Sequence, residues 1–115
     1  MYENQIIPGY RHQPGFHCAS SAIRNVLEFH GIKISEPTVI GLGRGPGFFY
    51  LVLNQTPSRL VHMRCLALEE NFFRAVGLKF RWRETENAAE ATRHAKETVD
   101  RGLPVLVQTD IAYLP

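Results

Sequence analysis

The sequence predicts an α+β domain, and three patterns carry that prediction. Apolar residues recur at helical spacing between Cys18 and His30, an aromatic-rich apolar run follows at 48–53, and hydrophobic and charged residues alternate at 78–83. Helical patterns come first and are then mixed with strand patterns, an order typical of α+β proteins. The length of 115 residues fits one domain, so we expect a single unit over 1–115.

The first helix is expected to run from Cys18 or Ala19 to His30, with Gly31 as the residue that ends it. Cys18 lies one turn before the apolar row, so the thiol is expected over the start of the buried face. The predicted buried face holds Ala22, Ile23, Val26, Leu27 and His30, and the outer face holds Arg24, Asn25 and Glu28.

N-cap residues and side-chain periodicity predict where the remaining helices and strands lie. Ser35 suits the N-cap of a short helix over about 36–41, and Asn87 with Glu90 resembles a capping box at the start of a helix to about Arg101. The inner face of that last helix is expected to carry Ala88, Ala91, Ala95 and Val99. The other expected elements are strands at 48–53, 78–84 and 103–110, extended structure at 61–64, and a helix at about 67–76 whose apolar face carries Leu68, Phe72, Phe73 and Val76.

Two or three strands make a thin sheet, and the sequence stops at "IAYLP", directly after the last of them. We therefore expect further strands to follow Pro115, with exposed strand edges that favour self-association into a homo-oligomer.

Composition excludes several functional classes. The net charge is only +2 and basic residues are interspersed with acids, so we expect no nucleic-acid partner. The N-terminus lacks a signal-peptide pattern, no apolar run reaches membrane-spanning length, and the two cysteines form no disulfide framework. We expect a cytoplasmic protein with no membrane contact, no bound metal and no cofactor.

The stretch "YRHQPGFHCASSAIRNVLEFHG" places Cys18 at the start of the first helix. Unpaired N–H groups at a helix N-terminus favour the thiolate, which is the nucleophilic form of cysteine. The same N–H groups can stabilise a developing oxyanion. Because cysteine is also among the most often buried residues, the alternative is a packing role at the edge of a core.

Two neighbours of Cys18 are candidates for supporting roles. His17 is a possible base or orienting group, although a loop packing role or a hydrogen bond to a carbonyl competes with that role. Gln13 is a candidate oxyanion donor, and a solvated loop side chain is the alternative. His12, His17 and Cys18 do not match a zinc-binding spacing.

The remaining candidate functional residues each have a structural role as the alternative to a functional one. The run "GLGRGPG" fails the phosphate-loop pattern, so its glycines are expected to serve positive φ and close backbone approach, and Arg44 either contacts an anion or is solvated. Asp110 either orients a base or ends a strand. Cys65 is interpreted as structural.

The stretch "HCASSAIRNVLEFHGIKISEPTVIGLGRGPGFFYL" resembles the opening block of the butirosin biosynthesis protein H N-terminal domain family. The shared features are a His-Cys pair, a helix that ends before Gly, a Ser-Glu helix start, and Gly-Leu-Gly-x-Gly before an aromatic-rich strand. The segment "RGLPVLVQTDIAYLP" also resembles the family, and residues 58–101 match it in layout.

The resemblance implies a papain-like cysteine protease fold, related to peptidases that process double-glycine bacteriocin leaders. It also implies a transferase of antibiotic biosynthesis that moves an acyl group from an acyl carrier protein thioester to a small-molecule amine. Cys18 corresponds to the family nucleophile. The catalytic His and its Asp or Asn partner are expected beyond Pro115, so the chain resembles the N-terminal part of the domain. A cysteine peptidase or amidase, and a non-catalytic binding module without a base, are the alternatives.

Overall fold

The computed structural model of the chain describes residues 6–109, except for the side chain of Met63. These residues form helices and a two-stranded antiparallel sheet, which confirms the predicted α+β class. The elements are α1 (Cys18–Phe29), α2 (Glu36–Leu42), β1 (Pro46–Val52), β2 (Arg59–Arg64), α3 (Leu68–Ala75) and α4 (Ala88–Asp100). Over the described range, every helix is too short or too polar to cross a lipid bilayer.

The hydrophobic core lies between the first three helices. Ile23 and Leu27 come from α1, Val39 from α2, and Leu68 and Phe72 from α3, and all five are buried. Phe73 and Val76 pack against this cluster, so the predicted apolar face of α3 is confirmed. The packing holds the start of α2 beside the start of α1, which determines the surroundings of Cys18.

The buried face of α1 differs from the prediction, because one polar residue is buried and two residues expected at this face are exposed. Asn25 was expected outside but is 2% exposed, and its Nδ2 donates a hydrogen bond to the Gln13 carbonyl oxygen at 3.1 Å. His30 was expected inside but is exposed, and Cys18 is exposed as well. The prediction was wrong here because the segment before the helix folds back along α1, so it covers the polar side and supplies a partner for the amide.

The glycine-rich loop after α2 packs its backbone tightly against neighbouring elements. A Cβ at Gly43 would lie 2.8 Å from the Leu68 carbonyl oxygen, and one at Gly45 would lie 2.7 Å from Ile40 Cγ2. The expected close approach is therefore confirmed. The expected positive φ at these glycines is wrong, because the left-handed backbone conformation of this loop falls on Arg44, at φ 55°.

The sheet lies outside the hydrophobic core. β1 and β2 pair antiparallel, with Phe49 opposite His62 and Val52 opposite Arg59, so the extended structure expected around 61–64 is confirmed as a strand. Large apolar residues on both strands are exposed, including Phe48 at 66% and Val61 at 54%.

Two predicted strands are not strands within the described range. Residues 78–84 and 103–109 form no ladder, although Leu78 packs against the core. The helix between them begins and ends where predicted, but it has no buried residue, so the predicted inner face is wrong. Alternation of side chains predicts which face of a strand would be buried, whereas a strand also needs a paired backbone neighbour. Asp110 lies outside the described residues.

Candidate active site

Cys18 is the first residue of α1, and it is an exposed free cysteine. The preceding residue, His17, has an extended backbone (φ −132°, ψ 129°) and is the N-cap. The sulfur therefore lies at the helix start and on the surface, as the nucleophile hypothesis requires. The first N–H groups of a helix have no intrahelical acceptor. Those of Cys18 and Ala19 are among them, and covalent connection places both next to the Cys18 side chain.

The ring of His17 caps α1. Its Nδ1 accepts a hydrogen bond from the backbone N–H of Ser20 at 3.3 Å and lies 3.2 Å from Ser20 Oγ. A neutral imidazole that accepts through Nδ1 carries its proton on Nε2. In this geometry the lone pair that a base would need is occupied, so His17 acts here as a capping group, and its role as a base stays a prediction.

A carboxylate that sequence reasoning missed lies beneath the helix start. Glu36, the first residue of α2, is 9% exposed. Its Oε2 accepts a hydrogen bond from the backbone N–H of Phe16 at 3.3 Å, and its Oε1 accepts one from that of His17 at 3.4 Å. Oε1 also accepts from Ser21 Oγ at 2.7 Å and from Ser20 Oγ at 3.2 Å. The Glu36 carboxylate thus joins α2 to the segment that enters α1.

Hydrogen bonding holds Glu36 in its charged form. The Ser21 hydroxyl is the largest influence, and with the N–H groups of Phe16 and His17 it lowers the pKa of the Glu36 carboxyl, against the opposing effect of burial. Arg24 Nη1 lies 3.4 Å from Glu36 Oε2 and supplies the compensating positive charge.

Local sequence explains why these groups meet. Ser35 accepts a hydrogen bond from the N–H of Thr38 at 3.4 Å and starts α2, so Glu36 is placed at the first helical position. A Cβ at Gly15 would collide with Ser21 Oγ and the Glu36 carboxylate, so a larger residue there would displace these hydrogen-bonded side chains. Arg24 Nη2 donates to the Gln13 carbonyl oxygen at 2.7 Å and fixes the same loop.

Gln13 is placed away from the thiol. Its Nε2 donates a hydrogen bond to Glu28 Oε2 at 2.8 Å. Glu28 lies ten residues beyond Cys18 in α1, about 15 Å further along the helix axis. The structure therefore brings His17 and Cys18 together at the helix start, and it engages the Gln13 amide elsewhere.

Arg44 belongs to the glycine-rich loop, and Cys65 contacts this loop through its backbone N–H, which donates to the Gly45 carbonyl oxygen at 3.1 Å. Cys65 is half-buried, and its Sγ lies 3.5 Å from Asn71 Nδ2. Arg44 lines a shallow pocket of about 340 Å³ with Asn71, Arg74 and Ala75. A second pocket, of about 270 Å³, lies between the start of the described chain and the end of α4. Neither pocket is lined by Cys18.

Metal-ligating side chains do not converge in the part of the chain that the structure describes, since no three His, Cys, Asp or Glu residues cluster there. What the described site offers is an exposed thiol beside the N–H groups of a helix start.

The sequence carried one overlooked signal for Glu36. An acidic residue directly after a helix-capping serine is common, because it interacts favourably with the helix dipole. That pattern alone does not reveal that the carboxylate turns inward, since its partners lie 15 to 20 residues earlier in the chain.

The chain matches a known protein family. The model of the family described as "Butirosin biosynthesis protein H, N-terminal" matches residues 17–115. The match begins at His17, so it includes Cys18 and Glu36 and leaves Gln13 before it. No curated protein and no solved structure matches the chain significantly.

Proposed function

The chain belongs to the butirosin biosynthesis protein H N-terminal domain family, and from this membership we propose that it is a cysteine-dependent acyltransferase domain of secondary-metabolite biosynthesis, of papain-like ancestry. Cys18 is the proposed nucleophile. The observation that carries the proposal is the position of Cys18, exposed at the first residue of α1 and within the matched range.

In the first step, the Cys18 thiolate attacks the carbonyl carbon of an acyl thioester. A new C–S bond forms, the tetrahedral intermediate collapses, and the donor thiolate leaves and takes up a proton. One thioester replaces another, so the free energy of the exchange is nearly balanced. The protein mainly has to position the donor and stabilise the oxyanion.

In the second step, a primary amine attacks the acyl-Cys18 carbonyl. A C–N bond forms, the C–S bond breaks, the Cys18 thiolate is released, and the amine nitrogen loses a proton. The released Cys18 thiolate takes up that proton and returns as the thiol. His17 is left as the helix cap, because its Nδ1 is bonded to Ser20.

The N–H groups of Cys18 and Ala19 are the proposed oxyanion donors. Both belong to the first turn of α1, where the N–H groups point out of the helix and carry its partial positive charge. Their proximity to the sulfur supports this role, because an acyl group on Sγ would hold its carbonyl oxygen within reach of the same helix start.

The proposed donor is an acyl carrier protein, and the proposed acceptor is a small-molecule amine of the aminoglycoside type. The exposure of Cys18 supports a donor of this kind. A thiol on an open surface is accessible to an acyl group carried on the flexible arm of another protein, whereas a small soluble donor is usually held in a pocket.

Intact-protein mass spectrometry after incubation with a short acyl thioester of N-acetylcysteamine tests the proposal. The expected result is a mass increase of one acyl group that peptide mapping places on Cys18. Cys65→Ala should retain the adduct and Cys18→Ala should lose it. Acylation of Cys18 and Cys65 at equal, slow rates would contradict the proposal and favour a non-catalytic binding module.

A further inference from the structure

The described structure places one buried carboxylate beneath the proposed nucleophile. Glu36 is 9% exposed, and its two oxygens accept hydrogen bonds from two backbone N–H groups and two serine hydroxyls. A buried carboxylate is costly unless its oxygens are satisfied, and this one meets donors from the entering loop and from α1. The charged and titratable groups that face it are Arg24, at 3.4 Å, and His17, through its backbone.

These bonds fix the direction in which the chain enters α1. The N–H groups of Phe16 and His17 are both bound by the carboxylate, so the peptide units that join Gly15 to Phe16 and Phe16 to His17 are anchored to Glu36. Gly15 passes so close to Ser21 and Glu36 that no Cβ fits, which shows how tightly the entering backbone is held. Cys18, the residue that follows the anchored His17, is exposed.

The same bonds determine which N–H groups remain available at the helix start. Glu36 binds those of Phe16 and His17, and the His17 ring binds that of Ser20. Among the described residues, the N–H groups of Cys18 and Ala19 are therefore those of the helix start left without an intrahelical or capping acceptor. These two lie nearest to the sulfur.

We propose that Glu36 is the positioning residue of the Cys18 site: it anchors the entering backbone, so that Cys18 and the N–H groups beside it face an incoming acyl group together. This inference rests on the proposed function for its catalytic consequence. The anchoring itself is a property of the folded chain, so it can be tested without any catalytic turnover.

The test compares Glu36→Ala and Glu36→Gln with wild type. Glu69→Gln is the matched control, because Glu69 is also a buried glutamate, at 8% exposure, paired with an arginine (Arg64, 3.2 Å). Hydrogen exchange reports protection of the N–H groups of Phe16 and His17. Timed iodoacetamide labelling gives a rate constant and an amplitude for Cys18, with Cys65 in the same sample as the reference.

Glu36→Ala should abolish the local protection at Phe16 and His17. It should also lower the Cys18 labelling rate constant about twofold to fivefold relative to Cys65, because N–H groups that no longer face the sulfur stabilise the thiolate less. Glu36→Gln keeps the length of the side chain and one acceptor oxygen. It should therefore retain part of the protection at Phe16 and His17 and part of the Cys18 labelling rate constant. A merely structural role would instead lower the fraction of chains that react, with the rate constant of the folded fraction unchanged. Glu69→Gln should leave Cys18 as in wild type.

The outcomes separate this inference from the proposed function. If wild type forms no acyl adduct, but Glu36→Ala removes protection and slows Cys18 selectively, Glu36 positions the thiol and the acyltransferase proposal fails. If wild type is acylated and Glu36→Ala is labelled and acylated at the wild-type rate constant, the positioning role is overturned and the proposed function stands. If Glu36→Ala does not fold, Glu36→Gln decides, and an unchanged rate constant in that variant overturns the inference.

Discussion

Replacing Cys18 by alanine should remove the proposed activity at almost no cost in stability. Cys18 is exposed at the first position of α1, so its Sγ contributes little buried area, and alanine is a good helix former. Surface substitutions of this kind usually change the free energy of unfolding by less than about 0.5 kcal/mol. The expected change for Cys18→Ala is therefore about 0 to 0.5 kcal/mol.

The comparison variant is Ile23→Val in the same helix. Ile23 is 0% exposed and lies in the core, so loss of one methylene should cost about 0.5 to 1.5 kcal/mol. Urea unfolding followed by circular dichroism measures both variants, with the slope of the free energy against urea concentration checked for constancy.

The reasoning on Cys18 is refuted if its alanine variant is less stable than Ile23→Val. That result would mean that the sulfur packs against the protein, as a structural cysteine does.

Three further predictions concern the surroundings of the site and the last helix. The folded pKa of Glu36 lies below its unfolded value, so the stability from its hydrogen bonds is present above about pH 4.3 and is lost as the pH falls through the folded pKa. Thermal unfolding at pH 3 to 6 should show a melting temperature that falls with the pH. The fall should be smaller in Glu36→Gln, which has no carboxyl group at this position. Gly15→Ala should lower the melting temperature because its Cβ collides with Ser21, whereas Gly47→Ala, with open space around the Cβ, should introduce no such clash, and equal losses would refute the tight passage. Asn87→Ala should weaken α4 by about 1 kcal/mol, and because α4 has no buried residue, hydrogen exchange within α4 should rise while the urea midpoint of the core stays constant.

Local signals predicted the helices well. Ser35 and Asn87 were predicted as caps, and their side chains accept hydrogen bonds from the first turns of α2 and α4. The cap of α1 is His17, a role that the sequence did not predict. A cap and the periodicity that follows it are properties of neighbouring residues, so one sequence is enough to place helix boundaries.

Long-range polar partners could not be predicted in the same way. Periodicity placed Asn25 outside because amides are usually solvated, yet the Gln13 carbonyl, 12 residues earlier, satisfies it inside. The burial of Glu36 depends on Ser21 and on the N–H groups of Phe16 and His17, which the fold brings near. Hydrophobic patterns carry no information on such pairs.

The strand predictions show a different limit. Residues 48–53 and 61–64 were predicted as extended, and the structure pairs them as β1 and β2. Residues 78–84 have an equally good alternation but no paired neighbour in the described range. A strand depends on its partner, so alternation alone could not separate these cases.

The most direct test of the central claim is transfer of the acyl group from Cys18 to an amine. Protein acylated with the N-acetylcysteamine thioester is freed of excess donor and mixed with an aminoglycoside, and mass spectrometry follows both protein and amine. Loss of the adduct from Cys18, matched by equal formation of the acylated amine and faster than hydrolysis in buffer, is the expected result. An adduct that decays at the same rate with and without the amine would contradict the account.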